Sequence, residues 1–423
     1  MRTKVSVKKI GAFPAKAAAL LIICLVAGIA AGIAVDRFVL PAPAPAEQET
    51  VTIDIGALLP LTGGLSSFGK RNQRSLEIAI EDINSFAQST GSKFRFKLKI
   101  EDTATDPQTA RSKIEALAAQ GVKAFIGPMA SREVSSVKPF ADDRKLIVIS
   151  QSSTAPALSI AGDFVFRVVP PDTYQGKALA RLIWNDGFRK AAVIYSNDAW
   201  GVGLFESFRD RFRGLGGTVE GVPYDPNSAE FSSEVAKLAD VAGKLGSDVA
   251  VLIISFEEGI PIIKLAAQNP ILSKLKWYGT DGLAKNSKLI EEASSETIAI
   301  GGLPCTVFVP PGNPLQDNFI SRFKSRFGEE PDSYSMNSYD AAWLIALSVM
   351  ISGEYDGEKI AQVMPLVATR YYGITGTVAL DSSGDRAAGD YGVYQLVRTT
   401  TGFDWKLVAI YHIDTDSVTR AEG

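Results

Sequence analysis

Histidine is nearly missing from this 423-residue chain, with His412 the only example. A Ser–His or Cys–His nucleophile would have to be built on it. It closes an apolar strand pattern, KLVAIYH, where a structural or exposed histidine is the simpler reading. Cysteine is almost as scarce. Cys24 lies in an apolar run, so Cys305 is left alone in the rest of the chain, where no intramolecular disulfide can form. No His, Cys or carboxylate cluster has metal-ligand spacing, and no Walker lysine follows a glycine-rich turn. Gly201-Val202-Gly203 opens like a dinucleotide loop, but Glu206 stands where its third glycine belongs. An enzyme is therefore not expected, nor a metal or cofactor. Basic runs are lacking too. Residues 1–46 hold six of the 44 basic and one of the 47 acidic side chains, so the remaining 38 and 46 give a net charge of −8. Such a surface is a poor partner for nucleic acid.

Long hydrophobic runs are limited to one, AAALLIICLVAGIAAGIAV at residues 17–35. A membrane-spanning helix needs roughly 20 mostly apolar residues, so this run is just long enough. Arg2, Lys4, Lys8, Lys9 and Lys16 precede it without any acid. The positive-inside rule then keeps residues 1–16 in the cytoplasm and exports the chain beyond Val35. A cleaved signal peptide shares this order of charge and apolar residues. The length favours a retained single-pass anchor, with the large domain extracellular or periplasmic. Cys24 lacks the small preceding residues of a lipoprotein site and reads as an ordinary apolar residue. Residues 36–50, with PAPAPAEQE, read as a semi-rigid spacer.

Beyond the spacer, apolar strands alternate with amphipathic helices, the pattern of parallel sheets covered on both faces. VTIDIGALLP (51–60) reads as a strand. The helix 67–86 comes next, with Leu76, Ile80 and Ile83 on one face. FRFKLKIED is the next strand, and Asp106-Pro107 opens a helix through Gln120 as N-cap and first-turn proline. VKAFIG and KLIVIS are strands ending in polar loops. A second series runs through helix 173–186, strand KAAVIYS, helix 200–214, strand TVEGVPY, helix 230–245, strand DVAVLIIS, helix 257–268 and strand KLKWYG. The tail YGVYQLVRTTTGFDWKLVAIY reads as a hairpin turning around Thr400–Phe403. The expected fold class is α/β with two doubly wound, Rossmann-like lobes.

In such sheets, ligands bind at the carboxyl ends of strands. Four polar loops fall there: GPMAS, SQSSTAP, NDAWG and GTDG. Ser131 and Thr154 are hydroxyls beside helix N-termini, which favour an anion such as a carboxylate. Asp281, from the other series, suits a cation. Phe68 and Trp200 come from loops of opposite lobes and can cover an apolar side chain. Each residue has a plainer reading as a cap, a turn former or a packing aromatic. Their joint placement at the strand ends of two lobes is what suggests a zwitterion site.

IGALLPLTGGLSSFGKRNQRSLEIAIEDIN, FIGPMAS, VISQSSTAP, YSNDAWG, YGTDG and NSYDAAWLIAL, in that order, resemble the type I periplasmic binding proteins of the leucine/isoleucine/valine group. The likeness runs from about Val51 to the C-terminus. It implies a receptor for an amino acid or similar small amide, with two lobes joined by three crossovers, delivering its ligand as a monomer to ABC permease subunits. Crossovers are expected near Arg167–Pro170, Gly301–Cys305 and Tyr372–Thr377. Lobe 1 is then residues 51–168 and 304–374, and lobe 2 residues 169–303 and 375–423. By resemblance, Ser131 contacts the ligand carboxylate and Thr154 both ligand ends. The Ser152 carbonyl accepts from the ammonium, with Ser153 counted beside it, and Asp281 is the acidic ammonium partner. Phe68 and Trp200 match cleft aromatics that are Tyr in the branched-chain group, so the phenols are lost here. Phe256-Glu257-Glu258 stands where Tyr or Gly is common. An acid there would select a cationic or polar side chain or point to solvent, and solvent is the preferred reading. The rival functions are a sensor of the same fold signalling through a partner membrane protein, an enzyme, and a purely structural ectodomain.

Overall fold

The computed structural model describes residues 49–421. The expected span 17–35 lies outside them, and no described helix is long and apolar enough to cross a membrane.

The chain opens with β1 (Val51–Leu59), α1 (Ser66–Ser89), β2 (Phe94–Asp102), α2 (Pro107–Ala119), β3 (Ala124–Ile126), α3 (Ser131–Arg144), β4 (Ile147–Ser150) and β5 (Val165–Arg167). The strands form one parallel sheet in the order β2-β1-β3-β4-β5. Alternation along β1 sends Ile53, Ile55, Ala57 and Leu59 to one core, with Leu76, Ala79 and Ile83 of α1. Leu58 goes to the opposite face, under Ile114 of α2 and Val137 of α3. Asp106 caps α2 as expected, accepting from the Thr109 N–H at 2.7 Å.

After β5 come α4 (Asp172–Asn185), β6 (Lys190–Ser196), α5 (Ala199–Gly214), β7 (Thr218–Tyr224), α6 (Ser232–Leu245), β8 (Val249–Ile254), α7 (Gly259–Gln268), β9 (Lys276–Tyr278) and α8 (Ser287–Ala299). The sheet order β7-β6-β8-β9 repeats that of the first lobe. A parallel bridge from Gly279 to Cys305 continues it into β10 (Cys305–Val309). The chain then runs through α9 (Pro314–Phe327), α10 (Ser333–Ser352), α11 (Gly357–Arg370), β11 (Tyr372–Gly373), β12 (Gly376–Thr377), β13 (Asp390–Thr399), β14 (Gly402–His412) and β15 (Ser417–Arg420). The hairpin β13–β14 turns at residues 400–401, and the antiparallel order β10-β13-β14-β15 extends the second lobe.

Two expected crossovers are displaced. Val168 packs in the first lobe's core and Val169 in the second's, which puts the first crossing between them, as expected. Cys305–Val309, expected at or after a crossing, is a second-lobe strand, because CTVFV pairs with β13 throughout. The chain leaves only at the Pro310-Pro311 break, after which Phe319 and Phe323 of α9 pack in the first lobe. Tyr372–Thr377 is no crossing either. It is a two-strand hairpin whose Ile374 enters the first lobe's core with Val378. The return occurs between Arg386 and Asp390. There the hinge strands are tied: Arg167 forms a fully buried ion pair with Asp385, and the Arg386 N–H donates to the Arg167 carbonyl at 2.8 Å.

Candidate ligand-binding site

The two parallel sheets present their carboxyl ends to each other, and the loops there form a small cavity between the lobes. Its lining includes Phe68, Met129, Ser131 and Ser152 from the first lobe and Trp200, Phe256 and Asp281 from the second. Tyr334 of α10, beyond the second crossover, completes it. The cavity measures about 20 Å³, room for about one water molecule. The lobes are therefore closed on each other, and a solute enters only when they part.

The first-lobe side is tied within itself. Gly127 ends β3 at φ +86°, and a Cβ there would sit 2.1 Å from the Leu58 carbonyl oxygen, so the turn admits only glycine. This turn delivers Ser131 to the start of α3. Its hydroxyl lies 2.9 Å from the Ser153 hydroxyl and accepts from the Ala155 N–H at 3.2 Å. Ser152 Oγ donates to the Met129 carbonyl at 2.9 Å, and Ser150 Oγ to that of Pro128 at 2.7 Å. Arg167 reaches from the hinge to hold the carbonyls of Ser153 and Ala155. Behind Ser131, the buried Glu133 carboxylate accepts from the Ala130 N–H at 3.0 Å, and burial pushes its carboxyl up to about 7. Hydroxyls and a helix N-terminus on one wall make it suited to a carboxylate.

The opposite side is acidic and spans both lobes. Asp281 lies just past β9, in the GTDG turn. It accepts from Gln175 Nε2 at 3.0 Å and from the Tyr334 hydroxyl, the latter reaching over from the first lobe. Gln175 is itself held by the Thr306 hydroxyl and carbonyl. Asp172, at the first turn of α4, accepts from Thr154 Oγ1 at 2.9 Å, and its Oδ1 has no hydrogen-bond partner among the described residues. Burial raises both carboxyls above the usual range, and the two are close enough that a charge on one disfavours a charge on the other. A cation placed there would be strongly favoured.

Aromatic rings close the remaining walls. Trp200 stacks on Phe256 with centroids 4.4 Å apart, and Phe68 meets Tyr334 edge-on at 5.9 Å. The structure thus gathers Phe68, Ser131, Ser152, Trp200 and Asp281 around one cavity. Ser153 and Thr154 stand just behind it, engaged with Ser131 and Asp172. Sequence reasoning misses Tyr334, Gln175, Asp172 and Met129. Met129 lies inside the GPMAS motif, which is signal enough to find it. Gln175 and Asp172 open the helix after a crossover, and nothing in the sequence marks Tyr334 as returning to the cleft. Glu257 and Glu258 do not point to solvent: Glu257 is 5% exposed, and Glu258 is held by Tyr224. Larger hollows of about 430 and 600 Å³ lie beside β5 and α11 and beside α5, and neither reaches Ser131 or Asp281.

Comparison with known proteins agrees with this fold. A family model described as receptor family ligand binding region matches residues 71–399. An uncharacterized protein of Methanocaldococcus jannaschii is 34% identical over 400 residues, covering 88% of this chain and 94% of that protein. The Leu/Ile/Val-binding protein homolog 1 of Brucella suis is 26% identical, over 82% of this chain and 91% of its own length. Among solved structures, the leucine binding protein LivK from Thermotoga maritima superposes with a TM-score of 0.70 at 26% identity, covering 86% of this chain and 99% of that one.

Proposed function

The chain belongs to the receptor ligand-binding family, as a type I periplasmic binding protein related to the Leu/Ile/Val-binding group, and from that premise we propose that it captures an amino acid or a similar small amide by lobe closure. It is a binding protein, not an enzyme. The observation that carries the proposal is the opposition of two unlike walls across one cavity. Ser131 and the start of α3 face Asp281, with Trp200, Phe256 and Phe68 between them. A zwitterion fits that opposition, its carboxylate on the hydroxyl wall and its ammonium on Asp281, with an apolar side chain against the rings. In this reading Ser131 and Ser153 serve the carboxylate end, Thr154 both ends, and the Ser152 carbonyl and Asp281 the ammonium. The domain is exported, tethered through residues 17–35, works as a monomer and delivers its ligand to ABC permease subunits.

Thermal melting of the full-length chain against single L-amino acids, amides and short peptides tests this. A ligand at 100 times its Kd adds about 2.7 kcal/mol, a shift of a few degrees at this size. A selective shift with one amino-acid class is expected. Flat melts across every zwitterion would overturn the reading and leave Asp281 as a turn residue.

A further inference from the structure

The acid that stands out of pattern in the sequence, Glu257, crosses the cleft. It lies in the second lobe, between β8 and α7, with its side chain 2% exposed. Its Oε1 accepts from the Ser67 hydroxyl at 2.7 Å and lies 3.4 Å from the Ser67 N–H, both in the first lobe. The backbone joins in, with the Glu257 N–H donating to the Gly64 carbonyl at 3.3 Å. Ser67 is the second residue of the 24-residue helix α1, whose N-cap residue Leu65 has no side-chain acceptor; the Ser66 and Phe68 N–H groups bond to the Gly63 and Leu65 carbonyls, which leaves that of Ser67. The one first-turn N–H unmet in its own lobe is capped from the other lobe. On its home side the carboxylate is aligned by Lys288 at 3.3 Å and by Asn286, itself the N-cap of α8. The residues next to these contacts, Leu65, Phe68 and Phe256, are walls of the ligand cavity.

We propose that Glu257 is a positioning residue that latches the closed state, capping α1 across the cleft and so fixing Phe256 and Phe68 over the bound solute. The proposal shares with the binding reading the premise that the lobes open and close, but not the identity of the ligand. Opening breaks the Ser67 and Gly64 bonds together and uncaps α1, whereas the contacts to Lys288 and Asn286 survive. The latch therefore stabilises closure specifically, and whatever solute binds gains apparent affinity from it.

Hydrogen exchange of the ligand-free, full-length chain tests the latch without knowing the solute. Glu257→Leu, which leaves no acceptor, and Ser67→Ala should each speed exchange about fivefold in two segments on opposite lobes, residues 61–72 and 254–262. The double variant should go no further than Glu257→Leu alone, because the hydroxyl bond lost in Ser67→Ala is among those lost with the carboxylate. Lys288→Met, which spares the interlobe bonds, should leave residues 61–72 unchanged. Wild-type exchange at residues 61–72 in both single variants would overturn the latch. So would acceleration by Glu257→Leu spread equally over β6 and β8, the mark of a role confined to second-lobe stability. A chain that binds no amino acid would still answer this question, so failure of the ligand reading and failure of the latch are told apart.

Discussion

The two walls of the cleft are built on different principles. The hydroxyl wall is complete within one lobe: Ser131, Ser153, Ser150 and the Ala155 N–H are tied by short bonds that do not change when the lobes part. The acidic wall is only in part assembled by closure. Asp281, Gln175 and Thr306 are linked within the second lobe, Tyr334 reaches Asp281 from the first, and Thr154 meets Asp172 across the first crossover. A preorganised wall binds a ligand at little ordering cost in the open state, so the carboxylate end is where capture begins. The acidic wall gains its Tyr334 contact only in the closed state, so it converts ligand charge into closure.

Removing the acidic wall's charge should therefore have the largest effect. Asp281→Ala strands a ligand ammonium in a buried site, and loss of one partner of such a pair costs about 3–5 kcal/mol. Titration calorimetry with the amino acid found by melting should show affinity reduced by about two to four orders of magnitude, a greater loss than for Trp200→Ala or Phe68→Ala. Equal losses for Asp281 and an aromatic would erase the distinction between the walls. The pH dependence has a definite sign. Burial, reinforced by their mutual repulsion, holds the Asp281 and Asp172 carboxyls above the ordinary carboxylate range. An ammonium requires the ionised form, so affinity should weaken as the pH falls through the range in which they titrate. In that range binding should release protons, read as a dependence of the calorimetric heat on buffer ionisation enthalpy.

The same contrast explains what the sequence can and cannot reveal. β1, β2, β6 and β7 and the helices between them are legible because one face of each repeats with period 2 or 3.6. The loops of the hydroxyl wall come directly after those strands, so Ser131 and Thr154 can be named from local order, and the family resemblance adds Ser152 and Ser153. Tyr334 cannot. It sits on α10, of which fifteen of the twenty residues are buried, from Ser333 to Val349, so no apolar stripe marks a face. Its return to the cleft depends on where the chain crosses between lobes. Sequence reasoning places the second and third crossings too early because CTVFV, a short apolar run, gives no local sign that its partner is β13, some eighty residues on. Glu257 is visible as a departure from pattern, but its partner Ser67 is 190 residues away and in the other lobe. The contacts that closure assembles are long-range, and long-range contacts leave no period.

Within the preorganised wall, Glu133 offers a smaller and separable effect. Its carboxyl is pushed up to about 7 by burial, against an ordinary value near 4.5. Between those two pH values the folded state binds more protons than the unfolded one, so stability is full below the lower and falls as the pH rises through the upper. Glu133→Gln keeps an acceptor for the Ala130 N–H and removes the titrating charge. Above pH 8 the variant should be more stable than the parent by on the order of 2 kcal/mol, and below pH 4.5 the two should agree. Urea melts across pH 4–9 measure this directly. A parallel fall in both proteins would mean that the Asp172–Asp281 pair, on the other wall, carries the slope instead.

The smallest effect should come from the hydroxyl that starts the wall. Ser131→Ala removes one neutral hydrogen bond to a ligand carboxylate, worth about 0.5–1.5 kcal/mol, so affinity should fall by roughly three- to tenfold. The loss should be concentrated in the association step. Ser131 stands ready before closure, whereas Asp281 gains its Tyr334 contact only with it, so stopped-flow mixing should show a slower on-rate for Ser131→Ala and a faster off-rate for Asp281→Ala. Capture on one wall and commitment on the other is the order that these bonds impose. If Ser131→Ala slowed only release, the order would be reversed, with the acidic wall meeting the ligand first.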